Sequence, residues 1–307
     1  MGHQEEVKLP STPTGWAIHL SKLVKLVHDA HGVDRFPIKV ADIARDYTRQ
    51  VYPDAPITLV DGQAFSSKFE GALIPRPGGK EWGIFYNTEI ASPGRINFTL
   101  GHELGHYLLH RSLSGDPIFC SKSDMWSWDS AYGQMEAQAN EFASFLLMPL
   151  DDFRDQTSGF NRPSIAMFEP LKVRYGVSVT SAILKWLDST SARAMIVVSR
   201  DGFIDWAWSS KPLLKSGVFF KPRQITTPVP DTSLAGLQDT SSEAINGKML
   251  PEGVWSAHES VFESVIHSEY HGMTISLLVY PMSTAEQKSA IRRRKTRPSC
   301  YMPGGVA

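Results

Sequence analysis

Phe98-Thr99-Leu100-Gly101-His102-Glu103-Leu104-Gly105-His106-Tyr107-Leu108-Leu109-His110 decides the reading of this 307-residue chain. The stretch follows the stop at Ser92-Pro93-Gly94 and predicts a helix of about four turns, with Phe98, His102, Gly105, His106 and Leu109 on one face. Inside it lies H-E-x-x-H. Side chains four residues apart stack on one side of a helix, so the two imidazoles of His102 and His106 can meet a single ion while Glu103 sits beside them. Neutral histidine nitrogens suit zinc, which takes a third protein ligand and keeps a position for water. Zinc lowers the pKa of that water, and Glu103 is placed to take its proton and hand it to a leaving amine. The competing reading is a pair of histidines packed in a core.

The third ligand has to come from elsewhere. The metzincin pattern needs Gly and His where this chain has Leu109 and Ser112, so it is excluded. His110 shares the histidine face but lies a full turn beyond, and would reach the same ion only with strain. A second strong helix is predicted from Met135 to Met148, closed by Pro149. On it Glu136 and Asn140 share a face, which makes Glu136 the expected ligand and Asn140 its helper, bonded to a ligating histidine. Glu141 projects about 140° away from Glu136 and is expected in solvent.

These two stretches, together with Tyr175-Gly176-Val177-Ser178, resemble the ImmA/IrrE family of zinc metallopeptidases over roughly residues 35–190. The resemblance implies an α+β, gluzincin-like core in which a small sheet supports the two helices. It also implies one zinc ion per chain on His102, His106 and Glu136, with Glu103 as catalytic acid/base. The implied activity is cleavage of a regulatory protein, often a helix-turn-helix repressor. The chain departs from the family at Gln138, where members commonly carry a second acidic residue, and this favours Glu136 as the ligand. Two other readings stand beside it: a non-catalytic sensor or binding module on the same fold, and a DNA-binding regulator using a helix-turn-helix at 171–187.

Residues 1–13 are expected to be a disordered lead-in, 14–189 the zincin-like domain, 190–285 a C-terminal α+β or β-rich domain, and 286–307 a basic tail. Hairpins are predicted at Gly71–Asn87 and at Ala194–Trp208, a strand at Thr274–Tyr280, and a long loop over 226–253. The strand Trp82–Asn87 is either structural or a free edge that pairs with substrate. Residues 112–132 are an irregular excursion whose Trp126 and Trp128 read as a lid or as a local cluster. Tyr107, Tyr132 and Tyr175 are all candidates for steadying the oxyanion, and no substrate-binding residue is identifiable.

Charge separates the function classes. The net charge is −1, but the last twenty residues carry Lys288, Arg292, Arg293, Arg294, Lys295 and Arg297 with no acid, which leaves residues 1–287 at −7. An acidic body argues against a nucleic-acid grip, which needs clustered basic side chains; only the tail keeps that role open. Two cysteines cannot form a disulfide framework, no run approaches about 18 apolar residues, and the polar start does not read as a signal peptide. A cytoplasmic protein with no membrane association is therefore expected.

Overall fold

The computed structural model describes residues 9–65, 69–78, 80–112, 118–121, 131–268 and 272–282. The chain forms two compact units, one of residues 1–160 and 167–186 and the other of residues 161–166 and 187–307. The expected lead-in and basic tail, and the excursion with Trp126 and Trp128, fall largely or wholly outside the described residues. No helix among them is long and apolar enough to cross a membrane.

The first unit opens with α1 (Pro13–His31), whose start is set by Thr12 accepting from the Gly15 amide and whose end is set by Gly32 in the left-handed region. Next come α2 (Val40–Val51), then β1 (Ile57–Gln63), β2 (Phe69–Pro75) and β3 (Trp82–Asn87). β2 and β3 form the expected hairpin, and β1 runs parallel to β3 on its other side. A further strand, β4 (Ile118–Ser121), pairs antiparallel with β2 and gives the order β1-β3-β2-β4. β3 is thus hydrogen-bonded on both sides, which rules it out as a free edge for substrate.

The decisive helix is α3 (Pro93–His110), and it begins earlier than expected. Ser92 accepts from the Arg95 amide as N-cap and Pro93 occupies the first turn, where its missing N–H is no loss. Ser92-Pro93-Gly94 is therefore a start and not merely a stop. Gly94 lies against the Val177 backbone, where a Cβ would come within 2.5 Å of the Val177 carbonyl carbon. Asn97 Nδ2 adds a bond to the Gly176 carbonyl. At the other end, the Tyr107 hydroxyl donates to the Ala55 carbonyl at 2.6 Å. α3 packs on β2 and β3 and against α4 (Ala131–Leu147).

α5 (Leu150–Thr157), a 3₁₀ turn at Ile165–Phe168, α6 (Glu169–Tyr175) and α7 (Val179–Ser189) follow. The helix-turn-helix reading falls on α6 and α7, and its three basic side chains are all engaged. Lys172 pairs with Glu169, Arg174 grips Asp152, and buried Lys185 lies 3.2 Å from the centre of the Phe145 ring. The two exposed basic side chains are thus each paired with an acid, and the third is buried.

The second unit is built on a five-stranded antiparallel sheet in the order β6-β5-β9-β8-β7, from β5 (Ala194–Arg200), β6 (Phe203–Ser209), β7 (Lys248–Leu250), β8 (Val261–Ser268) and β9 (Met273–Val279). Met195, Val197, Val265 and Leu278 form its core together with Trp255 and Tyr280. The expected long loop contains α9 (Ser242–Asn246), which follows α8 (Lys211–Lys215), and also β7. The loop is tied down by buried Glu263, which accepts from the amides of Leu234 and Ala235 and from the Ser276 hydroxyl. Burial holds the Glu263 carboxyl above its ordinary pKa in spite of those donors.

Candidate metal centre

Two glycines bring α3 and α4 together. A Cβ on Gly101 would lie 3.3 Å from Ala143 Cβ, and one on Gly105 would lie 3.0 Å from Phe142 Cδ1 and 3.2 Å from Ala139 Cα. The tighter of the two, Gly105, lets α4 approach closely enough for Glu136 to face the histidines, while Gly101 leaves more room. His102 Nε2 and His106 Nε2 are 3.0 Å apart, and the Glu136 carboxylate oxygens lie 3.2 Å from the first and 3.1 Å from the second. All three residues are buried, and they are the group of possible metal ligands found among the described residues.

Those separations fit an ion. Zinc ligands at about 2.0–2.1 Å in a tetrahedron stand about 3.3 Å from one another, close to the spacings of this triangle. The outer nitrogens fit as well. His102 Nδ1 donates to Asn140 Oδ1 at 2.9 Å, which turns its Nε2 inward. Glu141 is exposed and accepts from the Thr14 hydroxyl, as its place on the helix implied.

Burial and the Glu136 carboxylate pull the two histidines in opposite directions. Burial works against the His102 imidazolium, but the Glu136 bond and the charges of Glu103 and Glu136 outweigh it and hold its pKa above 6.5. Burial dominates at His106, where the His102 charge adds to it against the Glu136 bond and the pKa falls to about 4. The Glu136 carboxyl, which burial alone would raise, is held far below its usual range by the two histidines.

Glu103 is fully buried one position along α3 from His102, pressed against β2. A Cβ on Gly71 would come within 2.7 Å of Glu103 Oε1 and 2.5 Å of Thr99 Cγ2, so this close approach requires glycine. Arg95 forks onto Glu70 beside it and fixes β2 against the start of α3. Two of the oxyanion candidates are committed elsewhere, Tyr107 to Ala55 and Tyr175 to Asp152. Sequence reasoning cast His110 only as a strained extra ligand. The ring is buried, and its Nδ1 lies 3.0 Å from His106 Nδ1, on the side away from the triangle.

With this geometry in hand, comparison with known proteins is direct. Residues 54–186 match the peptidase M78 family model described as the IrrE N-terminal-like domain. The resemblance to the ImmA/IrrE family therefore holds. The IrrE-like segment contains α3, α4, the four strands β1 to β4 and every residue of the triangle. A curated relative, the radiation response metalloprotease IrrE of Deinococcus deserti, is 31% identical over 115 residues. That alignment covers 38% of this chain and 39% of the relative, so the chain spans about two fifths of its length. A solved structure of a Mycobacterium tuberculosis transcriptional regulator aligns over 85% of this chain and 76% of its own, with a TM-score of 0.49 and 15% identity.

Proposed function

We propose that the chain is a zinc-dependent endopeptidase acting on a regulatory protein, with His102, His106 and Glu136 as ligands and Glu103 as general base. The observation that carries this reading is the convergence of two imidazole nitrogens and a carboxylate at 3.0–3.2 Å, with a buried carboxylate on the next residue of the same helix. The metalloprotease name of the Deinococcus relative and the peptidase family match support it. A zinc ion supplies Lewis acidity to a peptide carbonyl and lowers the pKa of water. Glu103, held by α3 and confined by β2 at Gly71, takes the proton of the attacking water and returns it to the amine of the departing peptide. Asn140 keeps the His102 ring turned toward the ligand triangle throughout.

The test is co-expression of the wild-type and Glu103→Gln chains with the product of the neighbouring reading frame, and with a repressor of helix-turn-helix type, alongside zinc analysis of both purified chains. Cleavage by the wild type alone, with equal zinc in the two, is the expected result. Equal cleavage by both chains would remove Glu103 from its role. Zinc-loaded protein that cleaves neither partner would favour a binding module.

A further inference from the structure

The H-E-x-x-H motif runs on to a third histidine, and the fold gives it a partner on α4. His110 Nε2 lies 2.9 Å from Gln138 Oε1 and its Nδ1 lies 3.0 Å from His106 Nδ1. An amide oxygen can only accept, so the proton of neutral His110 sits on Nε2 and its Nδ1 offers a lone pair. His106 Nδ1 then has to be the donor, which leaves His106 Nε2 bare and aimed at His102 and Glu136. We propose that His110 and Gln138 form a positioning chain for His106. It sets that ring's tautomer and rotation for metal binding, as Asn140 does for His102. This rests on the metal reading above.

The two ligands are thus steadied from one helix by different means. Asn140 reaches His102 directly. His106 lies one turn farther along α3, and its support from α4 comes through an intervening imidazole. The three histidines at 102, 106 and 110 repeat at four residues, so their rings stack along one side of α3. Gln138 lies two residues after the Glu136 ligand, at an exposed position of α4. A neutral amide there fixes the tautomer without adding a second negative charge, which gives Gln138 a purpose where the resembling family commonly has an acid. His110 is not a fourth ligand, because the nitrogen nearest His106 meets its outer Nδ1, not its metal-facing Nε2.

The matched pair His110→Asn and His110→Leu tests this. The two substitutes have nearly the same shape, but only Asn places an acceptor oxygen close to where Nδ1 was. Zinc dissociation constants by competition with a chromophoric chelator, and cobalt(II) absorption spectra, are measured on wild type, both variants and Gln138→Ala, with melting in EDTA to confirm the apo fold. Zinc binding about 10–100-fold weaker in His110→Leu, largely restored in His110→Asn and intermediate in Gln138→Ala is expected. The cobalt spectrum should keep the wild-type band positions, since no ligand is lost. His110→Leu binding zinc as tightly as His110→Asn would overturn the chain while leaving the metal site intact. A shifted cobalt spectrum in both His110 variants would make His110 a ligand. A wild type with no zinc affinity would overturn this chain and the metal reading together.

Discussion

Gly105→Ala sets two well-known quantities against each other. In the middle of a helix the exchange is worth about 0.8–1.0 kcal/mol in favour of Ala. Here the new Cβ would meet Phe142 Cδ1 at 3.0 Å, Ala139 Cα at 3.2 Å and Ala139 O at 3.3 Å. Two of those atoms are backbone and the third belongs to a fully buried ring, so none can swing aside. Carbon atoms rest comfortably at about 3.5–4.0 Å, so α3 and α4 must part by about 0.5 Å locally. Overpacking of this kind costs about 1–3 kcal/mol, which cancels the propensity gain and leaves the apo-protein about 0–2 kcal/mol less stable. The larger effect falls on the ligands. Glu136 is one turn from Ala139, so its separations from His102 and His106, now 3.2 and 3.1 Å, would grow to about 3.6 Å. Metal–ligand distances tolerate only about 0.2 Å, and zinc affinity should fall tenfold or more. Gly101→Ala is the internal control, because its nearest neighbour is Ala143 Cβ at 3.3 Å and the next are at 3.5 and 3.7 Å. It should be neutral or stabilising with near-native affinity. Urea unfolding in EDTA and chelator competition read both quantities. A Gly105→Ala protein that is more stable than wild type and binds zinc equally well would refute the argument.

Gly71→Ala should act on Glu103 rather than on the ligands. Its Cβ would crowd the Glu103 carboxylate and Thr99, lowering stability by about 1–3 kcal/mol and cutting cleavage more than zinc affinity; equal loss of both would show that the displacement spreads to the histidines. Asp152 contributes to the acid limb of stability. Although burial would raise it, bonds from Arg174 and the Tyr175 hydroxyl hold its carboxyl below the ordinary 3.8. A depressed acid contributes stability above its unfolded pKa and loses it as pH falls through the folded value. Asp152→Asn should therefore cost about 1–2 kcal/mol near neutrality and almost nothing at the acid end. Urea midpoints from pH 7 down to pH 3 check this, and a penalty independent of pH would refute it.

The triangle of possible metal ligands was legible because each of its parts is local. His102 and His106 announce themselves by helical spacing, and Glu136 with Asn140 by the same rule on the next helix. What sequence hid depends on partners far along the chain. β8 escaped notice because Glu263 and Ser264 interrupt its apolar run, yet both side chains point into buried bonds, Ser264 accepting from the Ile165 amide. The stretch 226–253 reads as loop from its Pro, Thr and Ser content. Only Glu263, ten residues beyond it, shows why Leu234 and Ala235 are held inside. Ser92-Pro93 was misread in the opposite way, since a proline that ends one segment equally well begins the next. Tyr107 and Tyr175 carried the right chemistry for an oxyanion donor, but a hydroxyl's direction is set by tertiary neighbours. His110 left a clear signal, a third imidazole at the same four-residue interval, but its contact with Gln138 depends on how α4 packs on α3.

The ligands of the triangle come from two helices joined by a segment of about twenty residues, and this has a thermodynamic consequence. Any ion that binds there is also a cross-link between α3 and α4, formed only in the native state. At free metal a thousandfold above the dissociation constant, such a link adds about 4.1 kcal/mol to unfolding, and at the dissociation constant itself only a few tenths. The melting temperature of this chain would then serve as a gauge of the metal supply around it. Chelation would remove that contribution and lower the melting temperature.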